Sequence, residues 1–599
     1  MDRTGIIAVS LCAVLLVVWF YETQKQAQQL EAQRAQQQVL YAATNRVAAT
    51  SATETAPVTA SSGGSPVYAF DTNAPEQIVV LTNSHARYTF TSRGGGLKLV
   101  DLLDYPETIS ARWKTIKTPS TNNVASLNTY APTPVLAILG DQSFIGDGNF
   151  TLMRTDDGVR AEKKFPDGLV LTKEFHLSSN YMVNASVNFR NTSSSTLTLP
   201  SQQWVVGTAT PMDVDDSYFY TYGGAMWFDG SSSMPIRPSY FNPSTSFLMF
   251  FPRTPKTEYL GGSNNVVWAA AGNQFFVLLG MPQKPAEHVM ALPVTLPQFS
   301  NIEMASNAPP PEGVLTALIY PAQTLTANSN IQRQIIIYAG PKEYWRIADI
   351  GQEFQNRADN VMGFGFFGIC AKPLLIAMNW MHDVTHLGYG WVIVLFTVSI
   401  KVIFWPLTAA STRSMKRMQA LAPELKALQA KYKDDMQKLT SKQWELYKKH
   451  KVSPMSGCLP MAIQMPVFIG FFTMIRSAIE LRGAHFLWVA DLSKPDTLFI
   501  IPGINFPFNL LPLLMGGAML WQSHLQPPTP GMDQTQAKLM RYMPLIFLLF
   551  LYNYSAGLAL YWTVNNLLTI LQTKLTKNLR DPAAPGATPA LTTGPKSRK

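Results

Sequence analysis

Cysteine is nearly missing. The 599 residues hold three, Cys12, Cys370 and Cys458, far apart and in apolar surroundings, so the sequence offers neither a disulfide framework nor a cysteine metal site. Cys12 follows Leu11, where a lipoprotein signal would want a small residue, and no lipidation is expected. Charge is scarce as well. Asp, Glu, Lys and Arg make up 14% of the chain against 47% hydrophobic residues, well below the roughly 25% charged content of soluble domains. No GxxxxGK[ST] loop, dinucleotide fingerprint, HExxH or GxSxG occurs, so nothing signals nucleotide, hydride or hydrolytic chemistry. His382 and His386 are four apart in HDVTH but lack the glutamate of a metalloprotease motif. No catalytic residue, metal or cofactor is expected.

What the chain has instead is long apolar runs. GIIAVSLCAVLLVVWFY (Gly5–Tyr21) reads as an uncleaved transmembrane anchor within 1–21, because no small-x-small cleavage pattern follows. Residues 22–65 are rich in Gln and Ala, then Ser, Thr and Gly, and read as a flexible linker too poor in apolar residues to fold. Over 66–340 the pattern becomes alternating, as in LVLTKEFHL and in YMVNASVNF, where Tyr181, Val183, Ala185, Val187 and Phe189 share a face. Turn signals such as RGGG and FPDG separate the runs. This predicts an all-β sandwich of many short strands. Residues 341–387 are apolar but broken by glycines, Lys372 and Pro373, and read as an amphipathic helix lying in the outer interface.

Five further spans are expected at 388–408, 458–480, 505–525, 541–554 and 556–575, each near the roughly 20 residues that cross about 30 Å of hydrocarbon or somewhat short of it. Between them lie 409–457, a helical hairpin turning near KYKDD, a loop at 481–504 and another at 526–540; a basic tail follows at 576–599. Charge sets the orientation. Residues 22–387 hold 24 Lys and Arg against 28 Asp and Glu, while 409–457 alone hold 11 against 4. Basic loops stay on the cytoplasmic side. The expected topology is therefore six spans, with both termini cytoplasmic and 22–387 outside.

Lys401 interrupts the run GYGWVIVLFTVSIKVIFWPLT (Gly388–Thr408). A charge at mid-bilayer costs about 2.5–3.5 kcal/mol on insertion scales. It lies one turn inside Trp405 and could snorkel to the cytoplasmic surface. Other spans also carry polar residues, however: Thr397 on the same helix, Gln464, Gln522, Asn565 and Asn566. Each alone could serve helix packing. Together with a lysine they predict a wet, cationic cavity open toward the cytoplasm. Methionines such as Met461 and Met465 either fill gaps or offer a surface that tolerates many partners.

VIFWPLT after the lysine, the basic hairpin, KVSPMSGCLPMAIQMPVF (Lys451–Phe468) and SAGLALYWTVNNLLTILQ (Ser555–Gln572) resemble the YidC/Oxa/Alb membrane protein insertases, in the layout of their Gram-negative bacterial members. TSRGGGLKLVDL (Thr91–Leu102) is similar to the start of that family's periplasmic domain, a β-supersandwich. The resemblance implies a bacterial inner-membrane insertase and chaperone working without ATP. Its hydrophilic groove would be lined by Lys401, Thr397, Gln464, Gln522 and Trp562. The lipid-side exit would run along Met461, Met465, Phe468 and Phe547, and ribosome or targeting contacts would fall on Arg413, Lys416, Arg417, Lys448 and Lys449. Nascent membrane proteins, the ribosome, the Sec translocon, the signal recognition particle receptor and the phospholipid bilayer are the implied partners, with no specific nucleic acid sequence. Many members have arginine at the position of Lys401; the charge is kept here, the planar fork is not. Two other readings stand beside it: a secondary transporter with Lys401 as an anion or proton site, and an anchored module whose β domain binds sugar.

Overall fold

The computed structural model describes residues 70, 74–109, 123–141, 145–178, 180–212, 223–241, 256–296, 312–432, 435–450, 459–503, 506–525 and 534–577. The expected anchor and linker, most of the tail, and parts of the 409–457 and 526–540 segments lie outside these residues. The chain forms two compact units. One holds the strands up to Pro341 and continues to Leu375, with Phe472–Gly483 joined to it; the other holds Ile376–Phe471 and the chain from Ala484 on.

In the first unit, nine strands form one antiparallel sheet, running from Ser233–Ile236 at one edge through Asn330–Pro341 and Met182–Asn191 to Thr151–Arg154 at the other. A second sheet has five strands, with Gln202–Ala209 between Glu312–Tyr320 and Ile138–Gly140. A third, of four, runs from Ile78 to Leu127. The alternating face read from YMVNASVNF is buried along its whole length. Its Phe189 meets Trp204 of the five-stranded sheet at 6.3 Å, and Phe175 meets Phe90 of the four-stranded sheet at 5.1 Å. FPDG closes the hairpin between Gly158–Lys164 and Leu169–Leu177, with Gly168 at φ +89°, a conformation glycine adopts without steric cost. Lys173 occupies an inward position of that second strand. Its Nζ donates to the carbonyls of Gly94 and Leu136, both at 2.7 Å, and lies 4.5 Å from the Phe150 ring centre.

Residues 341–387 are not one helix. They form α1 (Tyr344–Glu353) and α2 (Gly368–Thr385). Gln355, Arg357, Gly363 and Gly365 between them all take positive φ, which an α-helix cannot continue through.

The second unit continues with α3 (Tyr389–Ala420), α4 (Ala422–Lys431), α5 (Met436–Lys449), α6 (Leu459–Ile475), α7 (Leu510–Leu525), α8 (Gln534–Leu551) and α9 (Ala556–Lys577). Among the described residues one stretch, Tyr389–Ala410, is by itself long and apolar enough to cross a membrane; Gln464–Ile475 and Arg541–Leu551 are shorter apolar helices. Three expected boundaries move. α3 runs past Thr408 without a break, so the first turns of the 409–457 segment extend the span helix. α7 starts at Leu510 rather than 505, because Phe506–Asn509 pairs with Thr497–Ile501 as an antiparallel hairpin. Its phenylalanines and isoleucines favour strand, and Pro502–Gly503 supply the turn, with Gly503 at φ +90°. α8 starts at Gln534, since QTQAKLM lacks apolar bulk but not helix propensity. The α4–α5 hairpin closes on Met418, Leu421 and Leu425 with Leu446 and Tyr447 packed against them.

A polar seam around Lys401

α3 and α9 run side by side in the same direction. Lys401 Nζ donates to Thr569 Oγ1 at 2.9 Å, and seven residues further along α3 Thr408 Oγ1 accepts from Gln572 Nε2 at 2.5 Å. Both threonines turn their own hydroxyl proton back onto the helix: Thr569 donates to the Asn565 carbonyl at 2.7 Å, Thr408 to Phe404 and Trp405. A hydroxyl has one proton and two lone pairs, so the intrahelical bond leaves each oxygen able to accept across the seam.

The direction of Lys401 bears on the two readings of it. Its neighbours Val402 and Ile403 are 64% and 69% exposed, which marks the outward face of α3. Lys401 points the other way, half-buried, toward α9. A snorkelling lysine would keep its amine on the outward face. Only one of the three ammonium donors is used among the described residues; the other two face no protein acceptor there.

Thr397, one turn earlier, is 1% exposed and donates to the Ile393 carbonyl at 2.6 Å. Gln464 on α6 donates to the Tyr561 hydroxyl at 2.7 Å, and Phe471 stacks on the same ring at 4.2 Å. Trp562 packs edge-on with Phe468 at 4.2 Å and lies 6.0 Å from Phe547, so two of the four expected exit residues meet one expected groove residue. Met465 is exposed and Met461 lies on the first turn of α6. Gln522 Oε1 on α7 and Asn566 Nδ2 on α9 are buried with no partner among the described residues. An unsatisfied buried polar atom costs about 1–3 kcal/mol, so these two sites favour water or a passing polar group. Arg413, Lys416 and Arg417 lie on the extension of α3, with Arg417 exposed; Lys448 and Lys449 are exposed on the last turn of α5.

The sequence did not single out Thr569, Gln572, Thr408 or Tyr561. A signal was available: Asn565, Thr569 and Gln572 fall at helical spacing on one face of α9.

Comparison with known proteins adds a separate line. Residues 78–377 match the family model for the YidC periplasmic domain, and 380–583 that for the 60Kd inner membrane protein. A membrane protein insertase YidC from Vesicomyosocius okutanii is 34% identical over 412 residues, 68% of this chain and 67% of that one. One from Bordetella parapertussis is 30% identical over 532 residues, 86% and 85% of the two chains. Among solved structures, an active YidC insertase with its first transmembrane domain resolved aligns over 85% of this chain and 94% of its own, at 18% identity and a TM-score of 0.33.

Proposed function

The chain belongs to the YidC family of inner-membrane protein insertases, and from that premise we propose that it inserts newly made membrane proteins by lending the spare donors of Lys401 to the polar flank of the arriving segment. The observation that carries this reading is the amine on the inward face of α3 with one of its three donors used, together with the partnerless Gln522 Oε1 and Asn566 Nδ2 elsewhere in the same helical unit. Lys401, Gln464, Gln522 and Trp562 line a groove open to the cytoplasm, with Thr397 in its wall. A short acidic flank enters and meets the amine, which replaces part of its lost hydration. The hydrophobic segment then leaves into lipid past Met461, Met465, Phe468 and Phe547.

Magnitudes make a nucleotide unnecessary. Carrying one carboxylate to mid-bilayer costs about 2.5–3.5 kcal/mol on insertion scales. Burying one leucine-sized side chain returns about 1.5–3 kcal/mol, so a few apolar residues offset it. α6 and α7, at 17 and 16 residues, reach only about 24–26 Å, which favours a locally thinned bilayer. The basic residues of α3–α5, Arg413, Lys416, Arg417, Lys448 and Lys449 among them, receive the ribosome through its RNA phosphates and the signal recognition particle receptor, with the Sec translocon as a neighbour. In this topology six spans leave both termini in the cytoplasm and 22–387 in the periplasm.

Reconstitution into nucleotide-free proteoliposomes tests the mechanism. Lys401→Glu is expected to slow insertion of a substrate with an acidic translocated tail, while Lys401→Arg keeps most of it. Unchanged insertion of every substrate tried would take Lys401 out of the mechanism.

A further inference from the structure

The hairpin of Thr497–Ile501 and Phe506–Asn509 straddles the boundary between the expected loop 481–504 and the expected span 505–525. Its paired positions are Phe499 with Phe508, Ile500 with Pro507 and Ile501 with Phe506. Both faces of the ribbon are therefore apolar. Phe499 and Phe508 stack at 4.8 Å, yet Phe499 remains 48% and Ile500 41% exposed. No charged residue or histidine occurs from Thr497 to Ser523.

The root of the ribbon is firmly held at one end of the helical unit. Asn509 is fully buried. Its Nδ2 donates to the Tyr552 carbonyl at 2.9 Å, its Oδ1 accepts from Thr497 Oγ1 at 2.7 Å, and the Tyr552 hydroxyl donates to the Pro507 carbonyl at 2.8 Å. Asp496 caps the start of α7 by accepting from Leu511 N at 2.6 Å and also accepts from Trp488 Nε1 at 3.1 Å. Just before it, the carbonyls of Leu492 and Lys494 accept from Gly557 and Ala556 at the start of α9. The ribbon thus sits where α7 and α9 begin and α8 ends, the outer end in the proposed topology.

Two costs fix its depth. Left in water, Phe499 and Ile500 would each forgo up to about 1.5–3 kcal/mol of burial, and an isolated two-stranded hairpin is marginal there. Sunk into hydrocarbon, the ribbon would strand an edge. The sheet has two strands. The Tyr552 hydroxyl serves the Pro507 carbonyl and the Asn509 N–H on one edge, but the other edge, along Thr497–Ile501, has no neighbouring strand, and every backbone group left without a partner costs several kcal/mol in lipid. The layer that avoids both costs is the headgroup–acyl boundary, where water still reaches the backbone. α7 leaves room for it, since 16 residues make about 24 Å against about 30 Å of hydrocarbon.

We propose that the 497–509 hairpin is a lipid-embedded wedge: Phe499 and Ile500 enter the outer-leaflet interface and complete, as a ribbon, a crossing that α7 is too short to make as a helix. This rests on the membrane topology of the proposed function.

The test places a nitroxide on single cysteines in the full chain with Cys12, Cys370 and Cys458 replaced, reconstituted in phosphatidylethanolamine–phosphatidylglycerol vesicles. Phe499→Cys and Ile500→Cys are compared with Val402→Cys as the lipid reference and Ser231→Cys, on an exposed turn of the β unit, as the aqueous one. The ratio of collision with oxygen to collision with a water-soluble nickel chelate is expected to rise severalfold at 499 and 500 over that at 231, and to approach that at 402. If 499 and 500 match 231 while 402 is lipid-like, the wedge is wrong and the topology stands. If 402 is itself aqueous, the topology fails and the wedge with it. Labels at 499 and 500 that are immobile and shielded from both reagents would show protein packing rather than lipid, and would also overturn the proposal.

Discussion

Lys401 is held by one neutral hydroxyl, and that is a weak hold. A hydrogen bond to a charged group is worth about 1.5–3 kcal/mol net, enough to aim the amine but little enough to exchange for a carboxylate. Thr569→Val removes the acceptor while keeping the shape. Insertion of an acidic-tailed substrate is expected to slow by up to about tenfold, corresponding to about 1.4 kcal/mol, with Thr569→Ser near wild type and neutral-tailed substrates unaffected. Initial rates in proteoliposomes check this; equal rates for the acidic tail would show that Thr569 does not aim the amine. The β unit carries two lysines of another kind. Lys173 and Lys342 are buried with backbone carbonyls as partners and no carboxylate. Burial pushes Lys342 down to about 8 and Lys173 well below the ordinary lysine value. In the window above the folded pKa and below the unfolded one, near 10.4, the unfolded chain binds more protons, so stability rises with pH. The thermal midpoint of the β unit in the full-length protein is expected to climb from pH 8 to 10, and Lys342→Met to flatten that climb whatever it does to the midpoint itself. A climb of the same slope in the variant would assign it elsewhere. The inward position of Lys173 was legible in LVLTKEFHL, since alternation places Leu169, Leu171, Lys173 and Phe175 together. Its acceptors were not, because Gly94 and Leu136 lie 79 and 37 residues away in sequence. The shared face of Asn565, Thr569 and Gln572 was equally legible, but the pairing of Thr569 with Lys401, 168 residues away, was not.

At the scale of elements, hydropathy located the helices and misplaced their ends. It responds to apolar density, so it began α8 seven residues late, at the point where the polar first turns give way to YMPLIF. It merged Phe506–Asn509 into α7 for the opposite reason, as that strand is as apolar as the helix that follows. The length of α3 was equally invisible to it. Thirty-two residues make about 48 Å, some 18 Å more than a hydrocarbon layer needs, and the positions of Arg413, Lys416 and Arg417 fall in that surplus, in the turns that lead to α4. The hairpin that follows depends on a small core, with Leu425 fully buried between Leu421 and the facing side chains of α5. Leu425→Ala is expected to cost the hairpin about 2–5 kcal/mol, most of what so small a core supplies. Amide exchange should then accelerate across 422–449 and stay unchanged in α6 and α9. Uniform acceleration would mean that the hairpin and the spans unfold as one.

On the scale of the whole molecule, each unit has its own interior. The β unit is closed by Trp204, Trp268, Phe189 and their neighbours between sheets, and every side chain of the Lys401 seam belongs to the helical unit. The division of charge follows the same line, with 24 basic against 28 acidic residues over 22–387 and an excess of basic residues elsewhere. Chemistry confined to one unit should survive loss of the other. Excising residues 70–340 from the full chain is therefore expected to leave nucleotide-free insertion in place. It should not leave stability untouched. Phe472–Gly483 clusters with the β unit, where Arg482 donates to the Glu107 carbonyl at 2.8 Å and lies 5.4 Å from the Phe276 ring centre; both partners go with the excision. A guanidinium left without them returns to water at little electrostatic cost but loses its ring packing, about 0.5–1 kcal/mol for an exposed site and up to about 2 kcal/mol for a desolvated one. The expected result is a lower thermal midpoint with the insertion rate retained, and Arg482→Ala in the intact chain should lower the midpoint in the same direction. Abolished insertion by an excised chain whose helices remain folded by circular dichroism would place the β unit inside the machinery, and the seam around Lys401 would then be only part of the site.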